Sequence, residues 1–172
     1  MSYCTYCKNL PDDNVHKIYH DKHYGFQIVN DNELFGRLIL EINQAGLSWD
    51  TILKKEENFR KAYANFEIES VAAFNEDDFE RLMNDAGIIR NKLKINAAIF
   101  NANKIIEIRN NFGTFKNWLD VLHPKSKEEW VKIFKKEFKF VGGEIVNEFL
   151  MSTSYLPGAH DEDCSIYKLL KE

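Results

Sequence analysis

Very little in this chain breaks a helix, crosses a membrane or builds a disulfide framework. Three prolines are spread over 172 residues. Strand-like alternation is scarce, and there are no repeats, low-complexity tracts or linkers. No run approaches the ~18 apolar residues that a membrane span needs. Three cysteines are an odd number, and too sparse for a disulfide-stapled secreted fold. The opening Met1-Ser2-Tyr3-Cys4 has neither the basic start nor the apolar stretch that directs secretion. A cytoplasmic, soluble protein without membrane contact is therefore expected, and cysteines in a reducing compartment suggest metal, catalysis or packing. Excess positive charge is lacking too: 23 Lys and Arg against 27 Asp and Glu leave −4. That excludes a generic polybasic coat for nucleic acid, but not a DNA-binding face, because a total averages over faces.

What is present is helical period. With 44% hydrophobic and 13% aromatic residues the chain is too apolar for disorder. Its length suits one domain, residues 1–172. Asp31 or Asn32 can cap a helix whose apolar stripe is Leu34, Phe35, Leu38, Ile39 and Ile42, ended by Ala45-Gly46. Ser48 fits as the N-cap of a second helix carrying Trp49, Ile52, Leu53, Phe59 and Tyr63. Short helices follow near 70–74 and 77–84, the latter with Asn75 as a cap, then a long one over about 91–108. Thr114 precedes another. Ser126-Lys127-Glu128-Glu129 has capping-box spacing, and a last helix follows Gly142-Gly143. The expected fold is compact and all-α, with loose tails that need anchoring.

Charge is distributed unevenly. Residues 65–85 sum to −6, 86–118 to +5, 124–140 to +3, and the stretch from Val141 onward to −4. Solvated helix faces account for such blocks; so do two basic elements converging on a phosphate backbone. Between the acidic and basic helices lies Asp85-Ala86-Gly87-Ile88-Ile89-Arg90-Asn91. A glycine turn leading into a helix offers free N–H groups to an anion, and Arg90, Lys92 and Lys94 add charge there. A plain helix corner reads the same way.

Glu41 shares the apolar face of its helix with Leu34 and Leu38, so it is either a satisfied structural carboxylate or one that meets a ligand in a pocket. Tyr19 and Trp49 offer flat surfaces for stacking. Metal candidates lie at both chain ends: Cys4 and Cys7 as C-x2-C, then His16, His20 and His23, and later His160 and Cys164 as H-x3-C. Two thiolates and two imidazoles would make a closed tetrahedral zinc site that staples both termini; unrelated reduced thiols and surface histidines are the plainer alternative.

Several blocks taken together resemble the bacterial 3-methyladenine DNA glycosylase I family, a branch of the helix-hairpin-helix glycosylases. They are Tyr19-His20-Asp21-x-x-Tyr24-Gly25, Leu40-Glu41-x-x-Gln44-Ala45-Gly46-Leu47-Ser48-Trp49, Thr51-Ile52-Leu53-Lys54-Lys55, Asp85-Ala86-Gly87-Ile88-Ile89-Arg90 and Phe138-Lys139-Phe140-Val141-Gly142. The resemblance implies a helix-hairpin-helix glycosylase fold with the hairpin over about 77–108. It implies one structural zinc on Cys4, His20, His160 and Cys164, joining termini 1–25 and 155–172 and leaving Cys7 a bystander. It implies a monomer acting on double-stranded DNA with alkylated bases, hydrolysing the N-glycosidic bond of 3-methyladenine, releasing the free base and leaving an abasic site without lyase chemistry. Glu41 would read the base while Tyr19 and Trp49 enclose it, and Gly46 would let backbone approach the pocket mouth. Gly87, Ile89, Arg90, Lys92 and Lys139 would meet DNA.

The chain departs from the family pattern at His16, usually tyrosine, and at Tyr6 and Tyr24, usually tryptophan. All three are expected to line the pocket, where a charged His16 would oppose a cationic base. These changes favour, as the rival reading, a non-catalytic damage-binding relative of the same fold. A zinc hydrolase using Glu41 as base would need an open metal position, which four Cys/His ligands deny.

Overall fold

Helix starts in this chain are written in side-chain oxygens. The computed structural model describes residues 1–172 and consists of helices α1 (Tyr3–Cys7), α2 (Val15–Lys22), α3 (Asp31–Gln44), α4 (Trp49–Ala62), α5 (Ile68–Ala72), α6 (Glu76–Met83), α7 (Lys92–Phe112), α8 (Phe115–Leu122), α9 (Lys127–Glu137), α10 (Gly143–Ser152) and α11 (Ser165–Lys171). A 3-10 turn, Ala64–Phe66, lies between α4 and α5. Ser2, Asn14, Asn30, Ser48, Asn75, Asn91, Thr114 and Ser126 each accept from a backbone N–H of the helix they precede. Such caps contribute about 1 kcal/mol each, and two of them, Asn75 and Ser126, close reciprocal capping boxes. The cap of α3 is Asn30, one residue before the expected Asp31 or Asn32. Asp31 is instead spent on a distant element: it accepts from the N–H groups of Phe115 and Lys116 and from Arg109 Nε. A carboxylate thus sits at the start of α8, where the helix dipole favours it.

α3 is the axis of the fold. Every side chain from Leu34 to Asn43 is buried, so it is apolar nearly all round, as a central helix should be. It packs against α4, α7, α8 and α10. One apolar cluster of 31 buried residues runs from Leu34 to Tyr155. Gly36 is required by close approach: a Cβ there would lie 2.3 Å from the ring of Phe66. Three polar side chains interrupt the buried run of α3, namely Arg37, Glu41 and Asn43. Of these, Asn43 bonds back to the carbonyl of Ile39; the other two belong to the site.

The termini are helical rather than loose tails. α1 packs on α2, and α2 on α4. Around them lies a second, much smaller apolar cluster of Tyr19, Tyr24 and Leu53. No helix is long and apolar enough to cross a membrane.

Candidate functional site

Glu41 is 4% exposed, and its carboxylate opens into a cavity of about 440 Å³ lined by Tyr3, Tyr19, Tyr24, Glu41, Gln44, Trp49, Glu144 and Glu148. Burial pushes Glu41 up to about 8; Arg37 opposes this and Glu148 adds to it, and no hydrogen bond offsets it. A buried carboxylate with no protein donor is costly. Within the cavity it is left to a proton, to solvent or to a ligand carrying donors or positive charge to satisfy it. Glu148 is raised as well, chiefly by burial, and its one side-chain bond is a long one from the Tyr24 hydroxyl, 3.5 Å. Sequence reading missed Glu144 and Glu148, whose i, i+4 spacing on α10 puts both on one face. The cavity therefore combines aromatic rings with the buried carboxyl of Glu41 and the partly buried one of Glu148, while Glu144 is exposed and paired with Lys127; this suits a flat, cationic, amine-bearing ring.

Three aromatic rings sit closely together. Tyr19 meets Trp49 at 5.2 Å between centroids and Tyr24 at 5.5 Å. Tyr19 is fixed from behind by Arg37, whose guanidinium lies 5.1 Å over the ring and donates to the Tyr19 hydroxyl and to the carbonyl of Ser152. The role of Arg37, one turn before Glu41, carried no signal in the sequence beyond its place on an apolar face. The indole N–H of Trp49 is buried and finds no acceptor within the protein.

Three expected lining residues stand elsewhere. His16 is buried one layer back, its Nδ1 3.0 Å from the Tyr3 hydroxyl and its Nε2 3.2 Å from Asp50 Oδ1. Tyr6 is 46% exposed and stacks on the outer face of Tyr3. Gly46 borders open space, where an added Cβ would meet nothing within 4 Å; its φ of +81° is what calls for glycine, in the turn after α3. The ring that reaches the cavity from this side is Tyr3.

The Cys/His residues of the two chain ends converge. The ligand atoms of Cys4, His20, His160 and Cys164 all lie within 4.8 Å of one another. His20 Nε2 and His160 Nδ1 are 3.2 Å apart, and the sulfur–nitrogen separations run from 3.3 to 3.9 Å. Tetrahedral zinc at ~2.0–2.3 Å from its ligands spaces them by about 3.3–3.8 Å, so this donor set fits such an ion. The outer ring nitrogens are spoken for: His20 Nδ1 lies 2.6 Å from Asp21 Oδ1, and His160 Nε2 lies 2.6 Å from the carbonyl of Tyr24. Those partners orient the inward nitrogens, as metal-binding histidines require. Cys7, of the rival C-x2-C pair, points away and lies 3.6 Å from the carbonyl of His16.

The turn between α6 and α7 is only partly what the sequence suggested. The N–H of Gly87 is taken by Asp85 Oδ1 at 2.8 Å. Ile89 and Arg90 keep their N–H groups free of intramolecular bonds, and Arg90 and Lys92 are exposed. Lys94 is not a surface charge. It is 4% exposed, and its ammonium donates to the carbonyls of Asn43 and Ala45 at 3.0 and 2.7 Å, closing the C-terminus of α3. The α7 end is thereby clamped to the helix that carries Glu41. Lys139 is exposed, with its ammonium 4.1 Å from the ring of Phe100 and its backbone exchanging two bonds with Asn101.

A family model described as Methyladenine glycosylase matches residues 9–132. The chain is 35% identical to the DNA-3-methyladenine glycosylase 1 of Escherichia coli K12, over 94% of this chain and 96% of that protein. It is 30% identical to the DNA-3-methyladenine glycosylase of Haemophilus influenzae, over 93% and 96%. Among solved structures, 3-methyladenine DNA glycosylase I from Staphylococcus aureus superposes with a TM-score of 0.83 at 30% identity, covering 96% of this chain and 97% of that one. A tyrosine-to-phenylalanine variant of a 3-methyladenine DNA glycosylase I, solved in complex with 3-methyladenine, gives 0.84 at 30% identity over 96% and 97%.

Proposed function

This chain belongs to the methyladenine glycosylase family, and from that premise we propose that it excises 3-methyladenine from alkylated double-stranded DNA, hydrolysing the N-glycosidic bond and leaving an abasic site. The observation that carries this reading is Glu41: a buried carboxylate, pushed up to about 8, without a protein donor, at the base of an aromatic cavity.

Methylation at N3 gives the adenine a positive charge, so the base is already a good leaving group and needs no proton from the enzyme. When the C1′–N9 bond breaks, its electron pair neutralises the base; water adds to the sugar and gives up a proton. The protein's share is to hold the extruded nucleotide, favour the cation and shelter an oxocarbenium-like sugar. Glu41 accepts from the amine edge of the base, and with Glu148 it favours positive charge there. Tyr19, Trp49 and Tyr24 enclose the ring. A strand-cutting lyase needs an amine nucleophile; no lysine lines the cavity, and nearby Lys94 is committed to two carbonyls, which supports a monofunctional enzyme.

The four Cys/His side chains would hold one structural zinc, whose bound chemistry is to fasten the two termini; with four protein ligands it leaves no open position for water. The α6–turn–α7 unit serves as the helix-hairpin-helix: the N–H groups of Ile89 and Arg90, with the charges of Arg90, Lys92 and Lys139, grip phosphates on either side of the lesion. The whole chain works as one domain and as a monomer. The deciding experiment incubates the protein with methylated DNA and identifies the released base by chromatography. Free 3-methyladenine is expected. Tight binding to damaged DNA with no base released would instead support the non-catalytic relative.

A further inference from the structure

One cavity wall comes from a residue to which neither the family pattern nor the spacing of motifs gives a role. Tyr3, on the short α1, lines the cavity beside Glu41. Its ring stands edge-on to Tyr24 at 5.6 Å and 6.4 Å from Tyr19, and its outer face carries Tyr6. A five-residue helix with Cys7 as its one buried side chain has little intrinsic hold on that ring. The hold comes from a hydrogen-bonded chain. Asp50 is ionised, held below the usual carboxylate range first by Lys54 and then by His16, so its oxygens only accept. His16 Nε2, 3.2 Å from Asp50 Oδ1, is placed to donate to it. In that tautomer Nδ1 accepts from the Tyr3 hydroxyl at 3.0 Å, with the His16 carbonyl a longer second acceptor at 3.5 Å. Asp50 directly follows Trp49, another wall of the cavity. The chain Tyr3–His16–Asp50 thus runs from α1 to the first turn of α4 and ties two facing elements of the pocket together.

We propose that Tyr3 is a further aromatic wall for the extruded methylated purine, and that His16 and Asp50 are positioning residues that hold it there. This rests on the glycosylase reading. It gives His16 a different part from a pocket-lining cation: the imidazole acts through the tyrosine in front of it, so the departure at position 16 and Tyr3 form one unit.

The test measures binding of free 3-methyladenine by calorimetry, with kcat and KM for excision alongside, on the full chain. A stacked base is worth ~1–3 kcal/mol, so Tyr3→Ala is expected to weaken base binding about tenfold or more. Tyr3→Phe and His16→Phe should each weaken it by about threefold to tenfold, and the double variant should be no worse than either single one, because both break the same tether. His16→Asn should restore affinity to near wild type, since its side-chain oxygen can accept where Nδ1 did. Circular dichroism and melting confirm folding, and if Tyr3→Ala fails to fold the Tyr3→Phe and His16→Phe pair still decides. Wild-type affinity in both, additive losses, or an Asn variant as weak as the Phe variant would overturn the assignment. A wild-type protein that neither binds nor releases the base overturns the glycosylase reading and this inference together; binding by wild type with indifferent variants overturns Tyr3 alone.

Discussion

The cluster around α3 and the cluster at the chain ends are held by different physics. The first is 31 buried apolar residues meeting from nearly every helix, and it needs nothing but burial. The second has three buried apolar residues. Around their aromatic contacts runs a set of polar ones: imidazole to thiol, imidazole to carboxylate, tyrosine to histidine, and Ser2 to Asp161. The cavity lies on the seam. Its acidic residues Glu41, Glu144 and Glu148 and its Trp49 ride on core helices, while Tyr3, Tyr19 and Tyr24 come from the terminal region. Glu41 is fixed by the hydrophobic core, whereas most of the aromatic walls rest on a small aromatic cluster and on polar contacts that need a partner for every group.

The sharpest way to break that contrast is to remove the metal that the terminal ligands would hold. Chelation, or Cys4→Ser with Cys164→Ser, should strip hydrogen-exchange protection from residues 1–25 and 155–172 while α3 and α7 stay protected. Binding free energies of structural zinc reach ~10 kcal/mol or more in small domains, so this is the largest effect expected. Metal analysis of protein purified without chelator should give one zinc per chain. Loss of α3 protection in step with the termini would show that the two clusters fold as one unit.

Glu41 tests the seam from the core side. Its folded-state value of about 8 lies above the ordinary 4.5, so between these two the folded state binds the proton more tightly than the unfolded chain. The associated stability is fully present below about pH 4.5 and is lost as pH rises through 8. Unliganded Glu41→Gln should therefore match wild type near pH 4 and exceed it by about 2–4 kcal/mol at pH 9, read from melting curves. The same variant should lose excision by about a hundredfold. A protein that is more stable and less active would mark Glu41 as a functional group kept at a cost. Equal melting temperatures at pH 9 would mean that protein donors already satisfy it.

A third variant bears on how much could be read before the structure. Gly36→Ala places a methyl 2.3 Å from the Phe66 ring and should destabilise the core by about 1–3 kcal/mol in thermal unfolding, with terminal protection unchanged. Nothing in the sequence marks Gly36, because the clash is with a residue thirty positions away, in a turn where Ala64, Asn65 and Phe66 all hold positive φ. The core helices were legible because caps and period are local: Ser48, Asn75, Thr114 and Ser126 sit where expected. The terminal helices were not. α1, α2 and α11 are short and weakly apolar, and they are defined by partners at the far end of the chain, such as His20 with Cys164. The site divided in the same way. Glu41 stood out as a carboxylate on an apolar face, whereas Tyr3, Arg37 and Glu148 acquire meaning only from what faces them.

The smallest effects belong to the surface, where neither cluster dominates. Net charge of −4 does not describe the face around the α6–α7 turn, where Arg90 and Lys92 are exposed beside two free N–H groups. Lys94, three residues into α7, has been withdrawn to close α3. The two kinds of lysine should therefore separate in one titration. Lys92→Ala or Arg90→Ala should lower the salt dependence of DNA affinity by about one released counterion each and weaken binding alike on damaged and undamaged duplex. Lys94→Ala should leave the salt slope unchanged but lower the melting temperature, because two carbonyls at the end of a buried helix lose their donor. A fall in salt slope for Lys94→Ala would make that residue a DNA-contacting charge and remove the clamp that joins the α6–α7 turn to the helix bearing Glu41.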